Sequence, residues 1–527
     1  MYQKVRTYLQ THFLFLFLLP IFFIYSGYNE LFGFLPQLFV LKNLFVLLVC
    51  MFVLFTLFVL FYKHIKKAAL ASFFVTTYTL LFGFLHDSLK NVGSNTFWVT
   101  YTFLLPTTIV LFLLIIIFLK KSKSSFAEVF TYLNLLMMAL ILTEIPNSIK
   151  RYLLDKSVHN LIDFRFKTYG EYKPQQPIAD VAKPDIYFLV FDAMASTKSL
   201  QQAFNKNNSA LDSMLKQKGF YVATNASSNY NWTIHSLSTT LNMQYLPDFI
   251  APVQNDPKAF FWGSASILDN SLTAVLKKEG YKIHQYQPIS FNNSDWPEMS
   301  HFQDMKDKHY YFKTLPGRIY RDIFWNYLRV QNNYVKNIQA SLLNNRFIQK
   351  KKATDTTLTL IKNTCTTAGQ SKFVYGHFMI PHDPYSFTRN GELRHITIAD
   401  FEIKKKEADL YFEQVLYAGK LINELVTYIQ KNNKKNTIII IEGDHGFRYL
   451  NKTNLAQYTF QNLNAFYFPD HQYEMLYDSI SPVNTFRIVL NKYFNAQLPL
   501  LKDSSVLVTG KKETINKLKK IPQARTP

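Results

Sequence analysis

The sequence predicts a five-helix N-terminal transmembrane bundle followed by an α/β domain with a central, mostly parallel sheet. Two observations carry this. Residues 12–148 are dominated by Leu, Phe, Ile and Val, whereas the rest of the 527-residue chain has ordinary globular composition. Beyond that point short apolar runs alternate with helical patterns, as parallel strands joined by crossover helices do. The chain is too long for one ordinary domain, and the first boundary falls near residue 148.

Five apolar runs lie at 12–28, 43–62, 69–86, 98–119 and 127–148. Each is close to the roughly 20 residues that cross a bilayer core. A buried helix of a soluble protein can be as apolar, but five in succession point to a membrane. Lys4 and Arg6 precede the first run, Lys63, Lys66 and Lys67 separate the second from the third, and Lys120, Lys121 and Lys123 separate the fourth from the fifth. The other two loops hold only Lys42 and Lys90, near Glu30 and Asp87. Positive clusters on alternate loops place the N-terminus in the cytoplasm. Five crossings then put everything after Pro146 outside. No small-residue cleavage site follows the first run, so it is expected to be retained.

The formal net charge is +22. Part of that excess sits in the membrane loops, and no aromatic–basic pattern accompanies the rest. Anionic lipid headgroups or phosphorylated glycans, not nucleic acid, are the expected counterparts. Cys50 lies in an apolar run and Cys365 in the globular part, so no disulfide framework is expected and apolar burial must hold the core.

A linker is expected over 149–184, where Pro174, Pro177 and Pro184 discourage regular structure. The globular domain then covers 185–505. Asp185–Phe191, Phe373–Met379 and Thr437–Ile441 read as buried strands. Leu200–Lys218, Ile267–Glu279 and Ile403–Asn432 read as helices. Residues 250–330, with Trp262 and Trp296, are irregular and suit either a substrate lip or an insertion. Lys350–Lys352 and Lys404–Lys406 read as solvated faces, and 506–527 as a basic tail.

Ligands of such sheets collect at the carboxyl ends of the strands. The first strand ends in Asp192, and the last in Glu442-Gly443-Asp444-His445-Gly446. Pro381-His382-Asp383-Pro384-Tyr385 follows the middle strand. Residues 228–238 read as a loop feeding a helix, with Thr233 at its start, where unpaired N–H groups favour an anion. Each residue also has an ordinary reading. Asp192 suits a helix cap, and Ser236, Ser238, Thr239 and Thr240 compete with Thr233. His377 suits a satisfied core histidine, His235 a structural one, and Tyr411, Gln414 and Tyr417 share a packing face.

The order Asp192, Thr233, His382, Asp444-His445 resembles the alkaline phosphatase superfamily. Within it, the chain resembles the membrane branch with sulfatase-like outer domains that contains lipoteichoic acid synthases and lipid phosphoethanolamine transferases. The resemblance covers the architecture of the whole chain, with motifs over 185–450. It implies that Asp192, Thr233, Asp444 and His445 bind one divalent metal, and two carboxylates with an imidazole suit zinc or manganese. It implies that Thr233 is the nucleophile, a role for which a free hydroxyl needs activation. His382, in a His-x-Pro-Tyr segment, is then a substrate contact able to protonate a leaving group, with His377 as its rival. Arg448 suits bidentate phosphate binding, and Asn229 the pocket wall.

Two departures matter. No Cys/Ser-x-Pro-x-Arg segment is present, which removes sulfate-ester hydrolysis through formylglycine. Phe447–Gln461 lacks the extra histidine of several phosphoethanolamine transferases and carries Arg448 instead. The expected activity is metal-dependent transfer of a phospho-alcohol headgroup, phosphoethanolamine- or phosphoglycerol-like. The donor is a membrane lipid, the intermediate a phosphothreonine and the acceptor an envelope glycan or lipid, at a bacterial inner membrane. A membrane-anchored phosphodiesterase or phosphatase, with water as acceptor, shares the same metal residues. A non-catalytic envelope sensor or assembly factor is the third alternative, which the intact motif residues disfavour.

Overall fold

The structure is a computed structural model that describes residues 2–31, 35, 37–93, 96–154, 170, 172, 183–247, 257–286, 288–289, 291, 304–324, 332–367, 369–401, 407–433, 435–448 and 457–508. The chain divides into two compact units. One is 1–158 with 303–331, and the other is 159–302 with 332–527. Most of the expected linker, most of the basic tail, Lys404–Lys406 and Trp296 lie outside the described residues.

The first unit contains α1 (Tyr2–Thr11), α2 (Leu14–Glu30), α3 (Gln37–Tyr62), α4 (Ile65–Val92), α5 (Tyr101–Lys121) and α6 (Ala127–Leu154). Four of these, α3 to α6, are long and apolar enough to cross a membrane, and α2 makes a fifth if it is counted with α1 across a 79° bend. The five apolar runs fall on α2 to α6, and α6 continues beyond residue 148. Leu38, Phe45, Phe52, Leu60, Leu114 and Phe118 point outward. Such a surface belongs against hydrocarbon rather than water.

The bend between α1 and α2 leaves backbone groups without helical partners. Asn134, buried on α6, takes them up. Its Oδ1 accepts from Phe15 N at 2.8 Å, and its Nδ2 donates to Leu9 O at 2.9 Å and His12 O at 2.7 Å. The basic residues gather at that same end. Lys66 reaches Gln10 O, Lys67 reaches Ser122 O at 2.8 Å, and Arg6 pairs with Glu128 at 2.9 Å. The opposite end receives part of the irregular region, residues 304–324. Arg318 pairs there with Asp87, and Lys313 with Glu30, each at 2.5 Å.

The second unit is built on a mixed six-stranded sheet of order β2-β6-β5-β1-β4-β3. Its strands are β1 (Asp185–Phe191), β2 (Tyr221–Val222), β3 (Lys282–Tyr286), β4 (Lys372–Phe378), β5 (Thr437–Glu442) and β6 (Asn464–Tyr467). β5, β1, β4 and β3 run parallel, and β6 pairs antiparallel with both β5 and β2. β1, β4 and β5 are buried throughout. Ile186, Phe188, Val190, Ile438 and Ile440 enter one core, while Tyr187, Leu189, Phe191, Ile439 and Ile441 enter the other. Burial on both faces explains why these strands read as continuous apolar runs.

Four helices matter for the site: α7 (Thr233–Asn242), α8 (Asn333–Cys365), α9 (Glu407–Asn432) and α10 (Pro482–Phe494). The helix expected over Leu200–Lys218 is two, Thr197–Phe204 and Ser209–Gln217, because Asn205 turns left-handed at φ 53°. Trp262 is fully buried in the helix Pro257–Leu268, so it packs in the core instead of forming a lip. Cys50 and Cys365 are both free, as expected.

Candidate active site

The carboxyl ends of β1, β4 and β5 are adjacent, so whatever follows each strand meets its neighbours' ends. Asp192 N donates to Phe378 O at 2.9 Å and Asp192 O accepts from His382 N at 3.0 Å, which ties the turn after β1 to the loop after β4. Asp444 Oδ1 accepts from Ala193 N at 2.9 Å and His445 N at 3.0 Å, which leaves Oδ2 unused. His445 Nδ1 lies 2.7 Å from Gly446 O and must donate to it, so Nε2 carries the bare lone pair. That Nε2 is 3.5 Å from Asp444 Oδ2 and 3.7 Å from Asp192 Oδ1. A Cβ on Gly443 would lie 2.2 Å from Met194 O, and one on Gly446 2.3 Å from Tyr458 O. The glycines around the Asp-His pair let backbone pass that close.

Donor atoms of Asp192, Asp444 and His445 lie within 4.8 Å of one another, and all three residues are buried. Asp192 Oδ1, Asp444 Oδ2 and His445 Nε2 have no hydrogen-bond partner among the described residues. Three orphaned buried acceptors facing one point are costly unless a cation joins them. Burial would lift the Asp192 carboxyl, but the imidazoles of His382, His377 and His445 outweigh it and hold the group well below the usual carboxylate range. Burial, with Arg448 adding to it, pushes His445 down to about 4. Both shifts favour the ligating forms of these two residues at neutral pH, an ionised Asp192 and a neutral His445. One divalent cation fits this donor set.

α7 starts at Thr233. Its N-cap, Trp232, supplies no side-chain cap bond, so the first N–H groups stay open to an anion. Ser236 Oγ donates to Asp444 O at 2.6 Å and fixes the first turn against the metal-site loop. Ser238 bonds Ser266, Thr239 bonds His235 O, and Thr240 bonds Ser236 O. Of these five hydroxyls, only that of half-buried Thr233 makes no hydrogen bond to a described residue. His235 is buried with neither ring nitrogen partnered among the described residues, and burial pushes it down to about 4.

His382 Nε2 lies 4.0 Å from Asp192 Oδ1 and 2.6 Å from Arg448 Nη2. Since arginine only donates, Nε2 is the acceptor and Nδ1 donates to Asp383 O at 2.7 Å. The Arg448 guanidinium stacks over Trp232 at 4.3 Å, and its buried Nη1 has no partner among the described residues. By stacking on the N-cap residue, Arg448 brings a cation to the open N-terminus of α7.

Two expectations need correction. His377 Nδ1 lies 2.8 Å from the Tyr375 hydroxyl, and its Nε2, without a hydrogen-bond partner among the described residues, is 3.4 Å from Asp192 Oδ2. It is fully buried beside the Asp192 carboxylate, which places it behind the metal-site residues and not on an open pocket wall. Asn229 is also fully buried. Its Nδ2 donates to Ser481 Oγ and Ser504 O, and its Oδ1 accepts from Val483 N. With both ends of the amide committed to the scaffold, Asn229 has nothing left for a ligand.

Other residues were missed by sequence reasoning. Lys350, expected on a solvated face of α8, sends Nζ to His382 O at 2.5 Å and Pro384 O at 2.9 Å. Burial pushes it down to about 7, against the pull of Asp192 and Asp383. Gln414 on α9 donates to Pro381 O and His382 O and accepts from Ser386 N and Phe387 N. Tyr411 bonds Ala193 O and Ala195 N. The shared face of Tyr411 and Gln414 was readable, but its polar use depends on loops distant in sequence. Lys350→Met should keep the metal and lower turnover about tenfold by loosening the His382 loop. Lys350→Arg should restore part of it. Unchanged turnover in Lys350→Met would remove the loop-holding role.

A family model described as Sulfatase matches residues 184–486. Among solved structures, the C-terminal periplasmic domain of EcEptC from Escherichia coli is similar at 12% identity and a TM-score of 0.40, covering 65% of this chain and 93% of that one. The integral membrane lipooligosaccharide phosphoethanolamine transferase A from Neisseria meningitidis is similar at 11% identity and a TM-score of 0.37, covering 92% and 96%. An alkaline phosphatase superfamily protein from Vibrio parahaemolyticus gives 10%, 0.37, 68% and 82%. No curated protein matches the sequence. At these identities and TM-scores none of the three structures assigns a substrate.

Proposed function

The chain belongs to the sulfatase family, and from that premise we propose that it is a metal-dependent phosphotransferase acting on a membrane lipid. The carrying observation is the set of unpartnered Asp192, Asp444 and His445 donors beside the open N-terminus of α7. Zinc or manganese held by these residues, with Thr233 as a fourth ligand, would offset phosphoryl charge and make a nearby hydroxyl more acidic.

The chain's own groups perform the rest. The N–H groups of α7 and the free Nη1 of Arg448 bind the phosphate oxygens. Thr233 Oγ attacks phosphorus, its proton passes to solvent, and the bond from phosphorus to the lipid's glycerol oxygen breaks. That oxygen takes a proton and diacylglycerol leaves. Proton donation from His382 Nε2, which is bare in this arrangement, requires Arg448 to leave that nitrogen and a proton from solvent to take its place; the incoming phosphate competes for the guanidinium. An acceptor hydroxyl on an envelope glycan or lipid then attacks phosphorus, the bond from phosphorus to Thr233 Oγ breaks, and that oxygen takes up a proton to restore the hydroxyl as the acceptor's own proton is lost to solvent. The phospho-alcohol can be phosphoethanolamine or phosphoglycerol.

Purified full-length protein with vesicles of phosphatidylethanolamine or phosphatidylglycerol tests this. Diacylglycerol release together with a phospho-alcohol adduct on the Thr233 peptide is the expected outcome. Discharge of the adduct to an added sugar alcohol supports transfer, and discharge only to water makes the enzyme a hydrolase. Release without any adduct overturns the covalent route.

The reading also sets α2 to α6 as five crossings of a bacterial inner membrane, with the sheet-bearing unit outside. The lysines of the 63–67 and 120–123 loops share one end of the bundle, and residues 304–324 pack at the other, which supports this orientation. A reporter active only in the cytoplasm should be silent when fused to the C-terminus. Strong reporter activity there would reverse the orientation.

A further inference from the structure

Residues 304–324 interrupt the sequence of the sheet-bearing unit, yet they pack within the membrane unit. The contacts are specific. Arg318 clasps both carboxylate oxygens of Asp87 and donates through Nε to Phe312 O at 2.8 Å. The Arg318 side chain is 7% exposed and that of Asp87 54%, so it is the two-pronged geometry on a buried guanidinium that distinguishes the pair from a loose surface one. Tyr101 donates to Asp322 Oδ2 at 2.6 Å. His309 bonds Gly27 O at 3.0 Å, and the Tyr310 hydroxyl bonds Ile24 O at 3.1 Å. Gly83 N donates to Lys313 O at 2.8 Å.

Two glycines make room for the segment. A Cβ on Gly83 would stand 2.6 Å from Lys313 O and 3.0 Å from Arg318 Nε, and one on Gly27 would stand 2.5 Å from the Tyr310 ring. Larger residues would be ordinary there if lipid were the neighbour. Gaps cut to backbone and ring shape, with charge pairs at their rim, belong to a fixed partner.

We infer that residues 304–324 are a second, non-covalent anchor, whose partner is the rim formed by α2, α4 and the start of α5. It holds the C-terminal polypeptide to the membrane helices independently of the covalent connection through 155–182. The inference does not depend on phosphate chemistry, so it stands or falls separately from the proposed activity.

The test places a specific protease site within residues 160–165 of the full-length protein in detergent, with an affinity tag at the N-terminus. After complete cleavage, the C-terminal fragment should remain bound to the tagged one. Asp87→Arg should increase its release at least about tenfold, and Asp87→Arg with Arg318→Asp should restore part of the retention, as expected when a held charge pair is broken and then reversed. Gly83→Leu tests shape independently of charge and should also release it. Melting of each uncut variant confirms that it is folded. Release of the unmutated fragment on cleavage overturns the anchor, as does full retention in both Asp87→Arg and Gly83→Leu.

Discussion

Thr233→Ala is expected to abolish turnover, with a fall of at least about a thousandfold, while the protein melts as before. No contact among the described residues depends on this hydroxyl. It is half-buried and makes no hydrogen bond to a described residue, so its loss should change stability by less than about 0.5 kcal/mol. Every neighbouring hydroxyl is already committed to holding α7 in place. Ser236, the natural substitute, spends its proton on Asp444 O. Thr233→Ser keeps the oxygen and should keep part of the rate. Metal content should fall little in either variant, because the two carboxylates and His445 remain. Activity of Thr233→Ala measured with either lipid, together with mass spectrometry of the α7 peptide, decides the matter. Full activity in the variant would transfer the role to another oxygen, and Ser236 would then have to break its bond to the Asp444 loop.

What could be read from the sequence follows from what is local. The three central strands were visible because burial on both faces writes a continuous apolar run, and each run ends at the residue that enters the site. Asp192 and Asp444-His445 were legible for that reason, as was Thr233 at a helix start. β3 and β6 were not, being short, polar in part and placed by pairing with remote strands. The longest helix of the sheet-bearing unit, α8, was missed because its polar sequence shows no clear apolar stripe. Lys350 was missed with it: a run of lysines looks like a solvated face until the His382 loop is laid across it. Asn229 and His377 failed for the opposite reason. Their residue types suit a ligand, but partners more than two hundred residues away (Ser481, Ser504) hold Asn229, and His377 is buried between Tyr375 and the Asp192 carboxylate. The docking of 304–324 follows from Gly27, Gly83 and Asp87 in distant helices, and no window of sequence contains both halves of that contact.

Replacing Asp444 by asparagine should strip the site of its metal and of turnover, yet leave the fold. The new Oδ1 can still accept from Ala193 N and His445 N, which are the bonds that order the loop. What changes is the atom facing Asp192 Oδ1 and His445 Nε2. An unprotonated oxygen becomes an N–H donor, which cannot ligate a cation. Affinity should fall more than about a hundredfold. Chelation of the unmutated protein should give the same inactive, folded state, and zinc or manganese should reverse it. The pH dependence provides an independent check. His445 is held near 4, below its ordinary 6.5, and the folded state therefore refuses a proton that the unfolded chain accepts between those values. In the metal-free protein this stabilisation is fully present above about pH 6.5 and is lost as pH falls toward 4. Metal loading, which needs the bare Nε2, should likewise persist through pH 6 and fail as pH drops through about 4, since Asp192 remains ionised there. Equilibrium dialysis across that range, with melting of the chelated protein alongside, measures both. Metal retained by Asp444→Asn, or loading lost already near pH 6.5, would place the ion somewhere other than between Asp192, Asp444 and His445.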